Sequence, residues 1–149
     1  MYRIRAVDGL DEDIAETLTE IHQLTFFDGA ALPDFTQGHW WLAYRGTMPI
    51  GFAGVVSSTR VPNSGYLSRV GVLRSHCGHN LQLRFVRVAE SQARRNGWSA
   101  LVSDTTDNVI SANNFIRAGF LMYEPIDPWA WPHTLYWRKF TRTRSRTAR

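Results

Sequence analysis

The stretch best suited to chemistry runs from Tyr66 to Gln82, YLSRVGVLRSHCGHNLQ. Leu67, Val70, Val72 and Leu73 give an apolar strand pattern, and Arg74 to His79 form a short polar loop. An amphipathic helix begins at Asn80 or Leu81, with Leu81, Phe85, Val88, Ala89 and Ala93 on one face. The first N–H groups of a helix have no intrahelical partner, and the helix dipole adds positive potential there. A strand, a tight loop and a helix start therefore make an anion site, and a pyrophosphate is a natural occupant. Charge agrees: Arg60, Arg69, Arg74, Arg84, Arg87, Arg94 and Arg95 are opposed over that span only by Glu90.

A second block, Asn108 to Phe120, reads NVISANNFIRAGF. Asn108 follows a strand and offers an amide. Ser111 is expected to cap the following helix, Gly119 to end it, and Phe120 to enter the core. Together the two blocks resemble the GCN5-related N-acetyltransferase superfamily. Its acyl-CoA motif, Arg/Gln-x-x-Gly-x-Gly/Ala, follows a strand containing Val-x-Val. Its second block has Asn-x-x-Ser/Ala, an aromatic residue, then Gly-Phe, and Asn108, Ser111, Phe115, Gly119 and Phe120 fall on those positions.

The resemblance implies an α/β fold: a mixed, mostly antiparallel sheet of six to seven strands with splayed central strands, flanked by about four helices. It implies acetyl-CoA as co-substrate, no metal, and acetyl transfer to a primary amine by direct attack in a ternary complex. The cofactor would run along the backbone of Val70, Gly71 and Val72. Its pyrophosphate would sit on the N–H groups of Cys77, Gly78, His79, Asn80, Leu81 and Gln82, with Asn108 and Phe115 further along it. The loop departs from the motif: Cys77 replaces Arg or Gln, and Asn80 and Gln82 replace the two glycines. Asparagine tolerates the left-handed backbone better than other non-glycine residues, so Asn80 preserves the loop shape.

Phe115 stands where many members carry the tyrosine that protonates the departing thiolate, and phenylalanine has no proton to give. Tyr123 and Tyr136 are the substitutes, Tyr123 being taken as the catalytic candidate. The amine must lose a proton, and Asp104, Glu124, His133, His22 and Asp28 are the candidate acceptors, with Asp104 preferred. Two aromatic-rich segments, Phe27 to Trp41 and Glu124 to Trp137, correspond to the family's acceptor loops. They nominate Asp28, Trp40, Trp129 and His133 for substrate binding. The alternative is a catalytically weak module of this fold that holds acyl-CoA or a protein or nucleic-acid partner.

The elements that must position these residues follow from the pattern. Tyr2 to Val7 alternates as a strand; Asp11 or Asp13 caps a helix reaching about Phe26; Trp40 to Tyr44 and Ile50 to Ser58 form a hairpin. Trp98 to Ser103, Phe120 to Tyr123 and His133 to Phe140 are further strands. The chain of 149 residues suits one domain over 1–140. The tail, 141–149, holds Arg142, Arg144, Arg146 and Arg149, which account for the whole net charge of +4. That tail is read as disordered and, lacking aromatic residues, offers nucleic acid no stacking platform. Eight acids precede Phe35, so the body is electrically segregated. No apolar run is long enough to span a membrane, and a single cysteine excludes an intrachain disulfide, so a cytoplasmic protein is expected. Exposed aromatics are compatible with a homodimer.

Overall fold

The computed structural model describes residues 1–26 and 30–141. Among them run seven strands and three α-helices. They are β1 (Tyr2–Val7), α1 (Glu12–Thr25), β2 (His39–Arg45), β3 (Met48–Ser57), β4 (Ser64–Val72), α2 (Leu81–Arg95), β5 (Ala100–Thr105), α3 (Val109–Arg117), β6 (Leu121–Tyr123) and β7 (Leu135–Phe140). The expected order is found. The helix count is three rather than about four, the remaining helical piece being a single 3₁₀ turn at Arg74–His76. The strands form one sheet in the order β1-β2-β3-β4-β5-β7-β6. β1–β2, β2–β3, β5–β7 and β6–β7 are antiparallel, and β4–β5 is parallel, in register from Ser64↔Ala100 to Tyr66↔Val102.

The chain divides into two compact units, 1–56 with 67–87, and 57–66 with 88–149, so β4 and α2 each contribute residues to both. In the first unit, α1 starts where Asp11 accepts hydrogen bonds from the N–H groups of Asp13 (2.9 Å) and Ile14 (3.3 Å). Its Leu18 and Ile21 pack with Phe35, Trp40, Leu42 and Phe52 in a buried cluster. Trp40 is central to it. It pairs with Gly54 across β2 and β3, and its ring occupies the space where a Gly54 side chain would stand. Its Nε1 donates to Gln37 O at 2.7 Å.

In the second unit, α2 and α3 end alike. After α2, Gly97 (φ +73) lets its own N–H reach Arg94 O and that of Trp98 reach Ala93 O. After α3, Gly119 (φ +90) donates to Ile116 O, and Phe120 to Phe115 O. Both are Schellman closures, and the Phe115–Phe120 edge-to-face contact (4.9 Å) is the apolar contact that accompanies such a cap. Lys139 on β7 adds a donor to Ala118 O (2.7 Å) and pairs with the buried Glu90 of α2 (3.0 Å).

Gly54→Ala tests the first core. The added methyl would stand 2.1 Å from Trp40 Cζ3. Overpacking of this kind costs about 1–3 kcal/mol, and the buried ring places the variant at the upper end. Urea unfolding should show a lower midpoint at unchanged slope. An unshifted midpoint would mean that the indole moves aside.

Candidate active site

The loop joining β4 to α2 lies in the first unit and is shaped by two left-handed residues, Gly78 (φ +86) and Asn80 (φ +59). Asn80 thus adopts the conformation expected of it. The first helical bond of α2 runs from Arg84 N to Asn80 O (3.1 Å). A 3₁₀ turn precedes the loop, and Cys77 N–H donates to Arg74 O at 3.2 Å. The Cys77 N–H, one of those expected in the cradle, is therefore engaged within the chain. The Cys77 thiol is exposed, with Sγ 3.6 Å from Leu73 O. Leu81 is buried, so it reaches a ligand only through its backbone, while His79, Asn80 and Gly78 are exposed. Val70 and Val72 are half-buried and Gly71 is buried; a side chain at Gly71 would meet Thr25 Oγ1 at 2.5 Å and Phe52 at 2.8 Å.

The first strand residue, which the sequence did not single out, locks this loop. Tyr2 OH is 2.9 Å from His76 Nδ1, its ring stacks at a tilt on His79 (5.1 Å), and Arg84 donates to Tyr2 O (3.3 Å). Arg45 lies over the Tyr2 ring at 5.3 Å. Around Gly78, by contrast, the position a side chain would fill is open for 4 Å. A backbone curled by left-handed residues, with that space beside it, fits a diphosphate.

The remaining candidates lie in the second unit. Asn108 is the N-cap of α3: its Oδ1 accepts from Ser111 N at 3.0 Å, so Ser111 receives the cap rather than providing it. Phe115 is half-buried, stacked on Trp137 (5.8 Å) and edge to face with Phe120 (4.9 Å). Asp104, on β5, accepts two hydrogen bonds on Oδ2, from Tyr66 OH (2.8 Å) and Trp129 Nε1 (2.9 Å). Trp129 meets Tyr136 edge to face at 4.6 Å, and Tyr136 OH accepts from Ala130 N at 2.9 Å. The sequence named Asp104, Trp129 and Tyr136 separately. Tyr66, which joins them, carried no signal beyond its place in a strand.

Tyr123 OH is buried with no hydrogen-bond partner among the described residues, as is Arg138 Nε, whose guanidinium lies 4.4 Å over the Tyr123 ring. Burial pushes the Tyr123 phenol above its ordinary pKa; Arg138 opposes this, while Asp104 and Tyr136 add to it. Tyr123 and Tyr136 also line a cavity of about 410 Å³ walled by Met122, Pro125, Pro128, Trp131 and Pro132. His133 Nε2 is 3.1 Å from Asp107 Oδ2, and both side chains are exposed. Trp40 is buried in the core of the first unit and is a packing residue there. His22 is buried too, stacked on Phe26 at 4.9 Å and accepting from Arg69 Nε at 3.4 Å. Asp28 and residues 142–149 lie outside the described residues. Among those described, no group of His, Cys, Asp or Glu is placed to hold a metal ion, and no helix is long and apolar enough to cross a membrane.

Comparison with known proteins bears on both groups. No curated protein matches the sequence. Among solved structures, the IAA acetyltransferase of Bacillus cereus aligns at 13% identity and TM-score 0.73, over 94% of this chain and 99% of its own. The ribosomal-protein-S18-alanine N-acetyltransferase of Escherichia coli aligns at 11% and 0.73, over 100% and 99%. A GNAT-family acetyltransferase of Streptococcus pneumoniae aligns at 14% and 0.70, over 94% and 99%. At such identities these likenesses concern the fold. The sequence itself matches the model of the acetyltransferase (GNAT) family over residues 7–120, a span that holds both the β4–α2 loop and the Asn108-to-Phe120 block, and the chain belongs to that family.

Proposed function

We propose that this protein transfers an acetyl group from acetyl-CoA to a primary amine by direct attack in a ternary complex. The observation that carries the reading is the β4–α2 loop, left-handed at Gly78 and Asn80 and open beside Gly78. Acetyl-CoA supplies the activated acetyl group as co-substrate. The chain supplies the rest. Backbone N–H groups from Gly78 into the first turn of α2 hold the diphosphate, and the helix dipole assists. The β4 backbone at Val70 to Val72 orients the thioester arm, so much of the rate comes from placement.

Two proton transfers remain. Tyr123 replaces the hydroxyl that Phe115 lacks and donates to the departing sulfur. The phenol is protonated at neutral pH and so has a proton to give, although burial raises its pKa and makes it a weaker acid than a free phenol. Asp104 accepts the proton that the amine loses.

Calorimetric titration with acetyl-CoA and CoA in reducing buffer tests the loop. Wild type should bind at micromolar Kd. Asn80→Asp, which keeps the left-handed tolerance but sets a carboxylate beside the diphosphate, should weaken binding at least about tenfold, or 1.4 kcal/mol. Absence of binding to wild type would overturn the reading, and tight binding without acetylation across a broad amine panel would leave a binding module. Tyr123→Phe should lower kcat about 10²-fold with little change in CoA affinity.

The same variant gives a test by pH. Folding raises the phenol pKa above its ordinary value of 10.0, so it favours the protonated form. That contribution is complete below pH 10 and is lost as pH rises through the folded value. Absorbance titration at 295 nm should show one phenol ionising after the others, a step missing in Tyr123→Phe.

A further inference from the structure

We propose that Tyr2 is a positioning residue for the cofactor: through His76 it clasps the β4–α2 loop in the shape offered to the diphosphate, and the clasp opens when His76 takes up a proton. The inference rests on the acetyl-CoA reading only in naming what the loop binds. Bonds inside the loop are local. Cys77 N–H reaches Arg74 O, Cys77 Sγ lies 3.6 Å from Leu73 O, and His79 Nδ1 is 3.1 Å from His76 O. Tyr2 reaches the loop from β1, 74 residues away. Its hydroxyl is 2.9 Å from His76 Nδ1, and its ring stands edge to face with that of the half-buried His76 at 5.8 Å. The same ring meets His79 at 5.1 Å, so one side chain holds the turn before Gly78 and the residue after it.

A neighbour fixes the direction of the Tyr2–His76 bond. Arg45 Nη1 donates to the Tyr2 hydroxyl at 3.3 Å, so the phenol accepts there and gives its own proton to His76 Nδ1. That requires a neutral His76 with its proton on Nε2. A second proton would sit on Nδ1. Two N–H groups would then point at one phenol oxygen, and the phenol proton would lose its acceptor. The new charge would also join basic surroundings. Arg45 of β2 lies over the Tyr2 ring (5.3 Å), Arg84 of α2 donates to Tyr2 O (3.3 Å), and Arg74 belongs to the same 3₁₀ turn as His76. His79 and Cys77 are the other titratable groups here. His79 gives an Nδ1–H to the His76 carbonyl, which it can do in either charge state, and Cys77 Sγ is turned to the carbonyls of Val72 and Leu73. His76 is therefore the group whose protonation breaks the clasp. A released loop must be ordered again by its ligand, which lowers affinity.

CoA titrations at about pH 8 and pH 5 test this, because an imidazole changes charge between them. At the higher pH, Tyr2→Phe should raise the Kd for CoA about fivefold, the worth of one neutral hydrogen bond. At the lower pH, wild type and Tyr2→Phe should bind alike. The CoA phosphates titrate equally against both proteins and cancel in the ratio. His76→Asn keeps an acceptor near the place of Nδ1 but takes up no proton, so it should hold the advantage over Tyr2→Phe at both pH values. A purely structural role for the Tyr2 hydroxyl would leave the ratio independent of pH. Without CoA, the His76 imidazole nitrogen resonances, assigned by their absence in His76→Asn, should show the Nε2–H tautomer in wild type at the higher pH and a mixture of tautomers in Tyr2→Phe. Equal Kd values at the higher pH, or a ratio that does not change with pH, would overturn the clasp and leave the cofactor reading standing. Absence of CoA binding to wild type would remove the cofactor reading and the cofactor role of Tyr2 with it. The tautomers then decide the clasp alone, and identical imidazole spectra in wild type and Tyr2→Phe would overturn it.

Discussion

Much of this molecule follows from one constraint on the backbone: the chain must pass from the end of β4 at Val72 to the start of α2 at Leu81 in a short loop. L-residues resist the left-handed turn that such a passage needs, at about 1–2 kcal/mol each. The chain meets it with Gly78, where the strain is absent, and with Asn80, where it is smallest. Once the loop is turned in this way, the chain enters a helix whose other end is closed at Gly97. The family's motif uses glycine at the position of Asn80. The substitution changes the letters of the motif while keeping the dihedral angle that gave the letters their meaning.

The second structural theme is that helix ends and buried charge are settled together. Lys139 neutralises Glu90 on α2 and donates to the Ala118 carbonyl at the end of α3 from a single ammonium group. Removing one partner of such a pair leaves an uncompensated charge, at a cost of about 3–5 kcal/mol. Phe115 belongs to the same closure, packed on Phe120 and Trp137. Its ring has a structural reason to be aromatic whether or not it carries a hydroxyl. The position could therefore lose its hydroxyl without loss of the fold, provided that a proton donor is available elsewhere.

What the sequence made legible divides along the line between local and non-local physics. Strand alternation in β1, the glycine stops at Gly97 and Gly119, and the order of elements all rest on neighbours along the chain and were read correctly, and the structure chooses Asp11 from the two caps, Asp11 or Asp13, that the sequence offered. The loop shape at Asn80 was legible for the same reason. The Ser111 cap was misassigned by three residues because Asn108 and Ser111 are both good capping types, and only the backbone decides which one precedes the helix. Trp40 looked like a pocket wall because its partner is the absence of a side chain at Gly54, on the next strand. The Tyr2 lock on the β4–α2 loop spans 74 residues between Tyr2 and His76 and leaves no periodic trace. The Tyr66–Asp104–Trp129 group is likewise invisible until the sheet register places its members together.

The arginines show how far composition misleads about a site. Seven of them against one acid suggested a cationic surface aimed at an anion. In the structure Arg69 donates to Ser68 O and Ala31 O, Arg84 to Tyr2 O, Arg94 pairs with Glu90, and Arg95 bonds Gln92. These side chains hold strands, loops and helix faces, and their charge reaches a ligand only as a field, which salt screens over about 10 Å at 0.1 M. On the proposed reading, specific recognition of the anion falls to groups that screening affects less, the backbone donors at a helix start.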